Sequence, residues 1–292
     1  MDFNLTISPA QAEYLVKPGA TIIQAYTATN NSQNNLILKT SVEPWVPKGT
    51  DGSVDYQNAT ANSDLQFSLG NSDLQLGQNF TLKPGEKRQL VLKIKSNPNS
   101  EPIDSYYTFF LTQDQSGSLG GSDNQALAQA KIGSHLLLSY SPTENYPETA
   151  TVSQLNVFPG LIDTFFPKIN ISGEITNTST HFFKTDGKIT VTKGGATIKE
   201  LKLFPHNILA QNSRSINCLQ DKDTQIDCTL SPPYWPGLYT ATLELNSPIK
   251  STPLSINFYV FPYTVVASII FLTSIGYLLL RKKSIKKQLS SS

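Results

Sequence analysis

Between Lys250 and Arg281 the chain has no Lys, Arg, Asp or Glu, and the end of that stretch, Pro262 to Leu280, reads PYTVVASIIFLTSIGYLLL. At ~1.5 Å per residue such a segment is ~28 Å long as a helix, against the ~30 Å hydrocarbon core of a bilayer. Arg281, Lys282, Lys283, Lys286 and Lys287 follow at once, with no acidic residue among them. An apolar span closed by a basic cluster is a stop-transfer pattern that leaves the tail in the cytoplasm. Tyr259, Tyr263 and Tyr277 stand near its ends, where amphipathic rings favour the headgroup region. The segment predicts a single-pass anchor over 261–280 and a cytoplasmic tail over 281–292, with the body outside the cell membrane. Met1 to Thr6 has neither a basic nor an apolar leader character. An exported body therefore implies a leader upstream, because a tail-anchored arrangement would send the tail charges across the bilayer.

Charge divides along the same line. All 22 acidic residues precede the anchor and five of the 23 basic ones follow it, so the total of +1 combines a body with 18 basic against 22 acidic residues and a wholly basic tail. That balance excludes nucleic-acid binding through bulk charge and a general electrostatic grip on anionic wall polymers. The tail charge is suited to fixing orientation and meeting anionic lipid.

Ahead of the anchor the apolar residues alternate with period two. Leu36 to Glu43, Leu65 to Leu69, Leu90 to Lys95, Ile169 to Ile175 and Tyr239 to Leu245 all take this form. Strands of that kind bury one face and solvate the other, which requires a second sheet to pack against. Lys17-Pro18-Gly19, Lys83-Pro84-Gly85, Lys193-Gly194-Gly195 and Trp235-Pro236-Gly237 supply turns between them. Thr29-Asn30-Asn31-Ser32 and Thr176-Asn177-Thr178-Ser179 close two strands alike, a weak internal repeat. The fold class expected is all-β: two tandem immunoglobulin-like β-sandwich domains, 1–143 and 144–260, joined near Ser141 to Pro147 and followed by one transmembrane α-helix.

Few residues suggest chemistry. Cys218 and Cys228 bracket Asp221, Asp223 and Asp227, and in an exported domain a disulfide is the expected use. No C-x2-C pair supports zinc, and the three aspartates lack the glycine and terminal glutamate of a calcium loop. His135, His181 and His206 are far apart and without motif, and Gly117 to Gly121 lacks the residues of a phosphate loop. No metal and no cofactor is expected. Asn4, Asn30, Asn58, Asn79, Asn170 and Asn177 begin N-x-S/T triplets and mark surface loops. Trp45, Tyr234 and Trp235 lie among prolines, where a rigid ring either caps its sandwich or contacts a ligand.

The chain resembles the WxL-interacting proteins of Gram-positive surfaces. The matching stretches are Phe3 to Pro9, Val16 to Gly19, Thr29 to Ser32, Asp51 to Tyr56, Leu82 to Glu86, Ala130 to Leu136 and Pro236 to Tyr239. The resemblance implies a peptidoglycan-binding β-domain, a second β-domain that binds a host or partner, one membrane helix and a basic tail. The leading expectation is thus a non-catalytic cell-surface protein that binds cell-wall polysaccharide or a secreted surface protein. A second is an assembly chaperone that donates a strand to its partner, which would use an exposed edge and a basic cleft for which Arg88 and Arg214 are the only arginines of the body. A third is a glycan enzyme with carboxylates in the loop from Pro47 to Asp64.

Overall fold

The computed structural model describes residues 3–99, 104–114, 130–142, 146–160, 162–165, 168–219, 224–231 and 234–289, with side chains to residue 281. Two compact units are present. Unit 1 comprises Met1–Glu148 together with Asn177–Phe183 and Ile208–Asn212, and unit 2 comprises Thr149–Thr176, Lys184–Asn207 and Ser213–Ser292.

Unit 1 contains β1 (Leu5–Ser8), β2 (Gln11–Val16), β3 (Thr21–Asn30), β4 (Leu36–Pro44), β5 (Val46–Lys48), β6 (Ser53–Asp55), β7 (Leu65–Leu69), β8 (Asn79–Leu82), β9 (Lys87–Ser96), β10 (Ser105–Gln113) and β11 (Lys131–Tyr140). One sheet runs β1-β3-β9-β7 and the other β2-β11-β10-β4-β8, with β5 and β6 forming a separate hairpin. The period-two pattern carries through: Leu36, Leu38, Leu90, Leu92 and Ile94 point inward and are buried, while Lys39, Lys93 and Lys95 do not. Tyr26 of β3 and Phe109 of β10 stack across the sandwich with ring centroids 4.7 Å apart. Thr40, which interrupts the apolar parity of β4, is fully buried, and its hydroxyl accepts the Gly77 N–H at 3.3 Å. Pro9 has no N–H to continue a ladder, and the chain changes sheets there. Residues 5–8 pair antiparallel with β3, and residues 11–16 pair parallel with β11.

Unit 2 holds β12 (Ala150–Phe158), most of β13 (Ile169–Asn177), β15 (Gly187–Lys193), β16 (Ala196–Lys202), β18 (Ser213–Ser215), β19 (Cys218–Leu219), β20 (Gln225–Ile226), β21 (Thr229–Leu230), β22 (Gly237–Leu245) and β23 (Leu254–Val260). Short pieces β14 (Phe183–Lys184) and β17 (Asn207–Ile208) complete the order. Its sheets run β12-β13-β18, with β21 also on β13, and β16-β15-β22-β23. Ile169, Ile171, Ile189, Val191, Ala241, Leu243 and Val260 fill the interior. The architecture is therefore β-sandwich with a single helix among the described residues, α1 (Tyr263–Leu289). Tyr263–Arg281 of that helix is long and apolar enough to cross a membrane.

The repeated Asn-x-Ser is a built corner. Asn30 is fully buried; its Nδ2 donates to Asn34 O (2.8 Å) and Leu82 O (2.9 Å), and its Oδ1 accepts Ser32 N–H (2.9 Å) and Ser32 Oγ–H (2.6 Å). Asn177 repeats the set with His181 O (2.8 Å), Ile208 O (3.0 Å), Ser179 N (2.8 Å) and Ser179 Oγ (2.5 Å). The turn behind each corner places a left-handed residue at the same offset: Gly85 (φ 71°) three residues after Leu82, and Gln211 (φ 56°) three after Ile208. Gln211 tolerates this because its amide donates to Thr178 O and Ser179 O, both at 2.9 Å. Two of the six triplets read as surface markers are thus interior hydrogen-bonding centres.

Candidate functional site

Inward residues of β10 enter the core, so Tyr106, Thr108 and Phe110 stand on the outer face of their sheet. That face is covered by aromatic side chains of the β4–β6 excursion. Trp45 stacks on Tyr106 with centroids 5.1 Å apart and meets His135 edge-on at 5.3 Å, and Tyr56 lies 5.4 Å from Phe110. Thr108 Oγ1 bonds Tyr56 OH at 3.0 Å and His135 Nδ1 at 2.9 Å. Burial lowers the His135 pKa and raises that of Tyr56, which favours the neutral form of each. Gly133 is required here, since a Cβ at that position would lie 2.4 Å from Thr108 Cγ2 and 2.7 Å from the Phe110 ring. Lys131 sits 3.6 Å above the Phe110 ring and pairs with Glu43 at 2.6 Å. Phe182 and Leu209, from the later segments of unit 1, pack with Trp45 and Leu137.

Beneath this cover Asp104 gathers three donors. Its carboxylate, 2% exposed, accepts from His181 Nδ1 (2.8 Å), Phe182 N–H (2.6 Å) and Tyr106 OH (3.0 Å). Burial, and then the Asp104 charge, push the Tyr106 phenol well above its ordinary range, so it stays a donor. Ser139 Oγ is also 3.0 Å from His181 Nδ1. A serine, a histidine and an aspartate so close could suggest a hydrolase relay, but a relay needs serine and carboxylate on opposite ring nitrogens. Both are on Nδ1 here. An ionised carboxylate only accepts, so Nδ1 carries the hydrogen and cannot take a proton from Ser139. Ser139 and His181 are moreover buried. The cluster is a structural latch.

Among the described residues the edge of the same sheet is incompletely paired. β2 covers β11 only over His135–Tyr140, and the His135 N–H donates to Ala10 O at 3.0 Å. N–H groups of a strand alternate sides, so those of Gly133 and Lys131 point the same way as that of His135, beyond the end of β2. Among the described residues no strand pairs with them. The open stretch, Lys131–Ser134, is ~13 Å long at ~3.3 Å per residue.

The ligand-contact candidates from the sequence fall in different places. Trp45 is 6% exposed and borders a cleft of about 480 Å³ in unit 1 together with Pro47, Asn62, Asp64 and Tyr107. The cleft's polar groups largely satisfy one another: Tyr107 OH accepts the Asn62 N–H at 2.7 Å, and the Asn62 amide donates to Ser105 at 3.1 Å. Tyr234 is buried in unit 2 with its hydroxyl on Leu230 O (2.6 Å), whereas Trp235 beside it is 79% exposed. Both border a groove of about 350 Å³ floored by Ile169, Val191 and Phe258. Arg88 is engaged by Asp73 at 2.5 Å and lies over the Phe80 ring. Arg214 is beside His206. Arg281 is exposed at the end of the apolar span, while the side chains of Lys282, Lys283, Lys286 and Lys287, as well as Asp221, Asp223 and the loop Gly117–Gly121, lie outside the described residues.

Cys218 and Cys228 are joined in a disulfide. Closing a loop with a sequence separation of 10 stabilises by about 3 kcal/mol through the entropy removed from the unfolded chain. Replacing both cysteines by alanine is expected to lower the stability of unit 2 by that amount, read as a shift of the urea midpoint. An unchanged midpoint would make the bridge thermodynamically idle.

No family model and no curated protein matches the chain. Similar solved structures include the class 5 fimbriae chaperone CfaA, at 14% identity and a TM-score of 0.41 over 89% of this chain and 100% of that one. The E. coli chaperone DraB is similar at 11% identity and a TM-score of 0.38 over 87% and 98%. A chain of the CsuC–CsuE chaperone–tip adhesion subunit pre-assembly complex of Acinetobacter baumannii is similar at 12% and 0.39 over 88% and 99%. The expected membership of the WxL-interacting family is overturned: fimbrial chaperones, not that family, are the structural neighbours found. There is a physical reason for the error. Val16 to Gly19, Thr29 to Ser32 and Leu82 to Glu86 supply left-handed turns and the buried Asn corner, and Asn177 recreates that corner in the second half. Those residues specify a corner of the sandwich, which many lineages need.

Proposed function

We propose that this chain is a non-catalytic assembly chaperone whose partner, a secreted or surface protein, lays an extended segment along the open part of β11. The reading includes two tandem immunoglobulin-like sandwiches outside the cell membrane, one transmembrane helix and a cytoplasmic basic tail. The observation that carries it is the edge at Lys131–Ser134, which has no strand partner among the described residues, because outward N–H and C=O groups recognise any extended backbone and leave side-chain pockets to select among sequences. The surrounding aromatic face and the Asp104 latch keep β11 rigid, so little ordering cost is left for binding. Hold on cell-wall polysaccharide gains nothing from this site, since the Trp45 ring is covered.

The test uses fluorescent peptides copied from the strand-forming ends of surface proteins encoded beside this gene. Lys131→Pro removes one outward N–H at the first residue of the strand, a position where proline is tolerated. Affinity is expected to fall about tenfold in Lys131→Pro and to hold in Lys131→Gln, which keeps the N–H but not the charge. Amide exchange at residue 133 should slow when the peptide is bound. Equal affinity in Lys131→Pro, or no protection at residue 133, would reject the edge as the site.

A further inference from the structure

We infer that the end of unit 2 from which α1 departs is a lipid-contacting collar, seated in the headgroup region of the bilayer, with Trp235 as its main anchor. This deepens the membrane-anchored reading above and rests on it. The collar consists of Phe158, Phe165, Trp235, Leu238, Tyr259 and Phe261, each exposed, with Trp235 at 79% and Phe158 at 72%. Hydrogen bonds and strand register place these residues together. Leu238 pairs with Tyr259, three residues before Pro262, and Tyr234 N–H donates to Thr164 O at 2.8 Å. Parallel bridges Thr149↔Lys250 and Ile162↔Val260 bring the end of β12, with Phe158, to the end of β23. Lys193, which pairs with Tyr239 and lies over its ring, adds a cation at this end.

Single exposed apolar residues are ordinary on a soluble surface, but six large ones at one end are not. Aromatic rings with a polar edge favour the headgroup zone, and α1 is the reason this end faces it. The helix is not on a loose tether. Asp163, buried, accepts Thr264 N–H at 2.9 Å and Thr264 Oγ–H at 3.0 Å, capping the first turn from far back in the sequence, and Phe165 N–H bonds the same carboxylate at 2.9 Å. Phe261 N–H donates to Ile162 O at 3.0 Å. The sandwich end and the first helical turn are therefore one piece, and a helix set across a bilayer brings the collar to its surface.

The experiment reads Trp235 in the full chain reconstituted in phosphatidylcholine/phosphatidylglycerol vesicles. The chain has only two tryptophans, and Trp45 is buried, so the emission lost in Trp235→Phe isolates the collar signal. Shallow brominated phosphatidylcholine is expected to quench that signal about twofold, and aqueous iodide to quench it several-fold less than free tryptophan amide. An alkaline carbonate wash separates the two levels. A protein that stays in the vesicles while Trp235 remains open to iodide and blind to brominated lipid overturns the collar alone. A protein that washes off overturns the anchor and the collar together. Shielding of Trp235 that arises only on adding peptidoglycan fragments would give the ring to a glycan and also overturn the proposal.

Discussion

Asp104→Ala is expected to destabilise unit 1 by about 3–5 kcal/mol, the range for removing one partner of a buried, hydrogen-bonded charged group. The substitution would take from the Phe182 N–H, the Tyr106 hydroxyl and the His181 ring the carboxylate that accepts from all three. The cavity would be small, so the loss is polar. Asp104→Asn keeps an oxygen for one or two of these donors and is expected to cost clearly less. Urea unfolding followed by Trp45 fluorescence reads both variants, because the ring is stacked on Tyr106 next to the latch. A loss below about 1 kcal/mol in the alanine variant would show that the three donors find other partners.

Asn30→Ala is expected to cost about 4 kcal/mol, from three buried and one half-buried hydrogen bond at ~0.5–1.5 kcal/mol each together with the stranded Leu82 carbonyl. Asn30→Asp should not rescue it. Its carboxylate still accepts from Ser32 but faces Asn34 O and Leu82 O with no hydrogen to give. The same substitutions at Asn177 should behave alike, since its partners match one for one. Thermal melts are sufficient to compare the four variants. If Asn177→Ala were silent while Asn30→Ala was not, the two corners would share a shape without sharing an energetic role.

The sequence discloses elements whose cause is local. Alternation in Leu36 to Glu43 and in Leu90 to Lys95 places β4 and β9 with the correct face inward, because a strand packed on one side must repeat every two residues. Pro18-Gly19 and Pro84-Gly85 mark turns whose glycines take positive φ. The long apolar helix follows from composition alone. Long-range contacts are a different matter. Asp104 and His181 are 77 residues apart, and no pattern in either neighbourhood links them. Trp45 reads as a loop ring and is buried because the excursion through β5 and β6 folds back over β10. The stretch of β11 without a strand partner among the described residues depends on where β2 stops, and the parallel register of the pair is not apparent from two short apolar runs. Asn30 and Asn177 carry a usable signal in their repetition, but the N-x-S spelling reads as a surface loop and not as the buried corner it builds.

The composition of unit 1 bears on how the chain closes as it is made. β2 pairs with β11, which follows it by more than a hundred residues, and the aromatic face is completed by Phe182 and Leu209 from later segments. Local hairpins such as β10–β4 can form early, whereas these closures must await distant residues. A nascent chain halted near residue 150 would hold both sheets of its first sandwich and still lack the side chains that dry Trp45 and Leu137. Only when residue 212 has emerged does the face have all its parts, with most of the second sandwich still to be made.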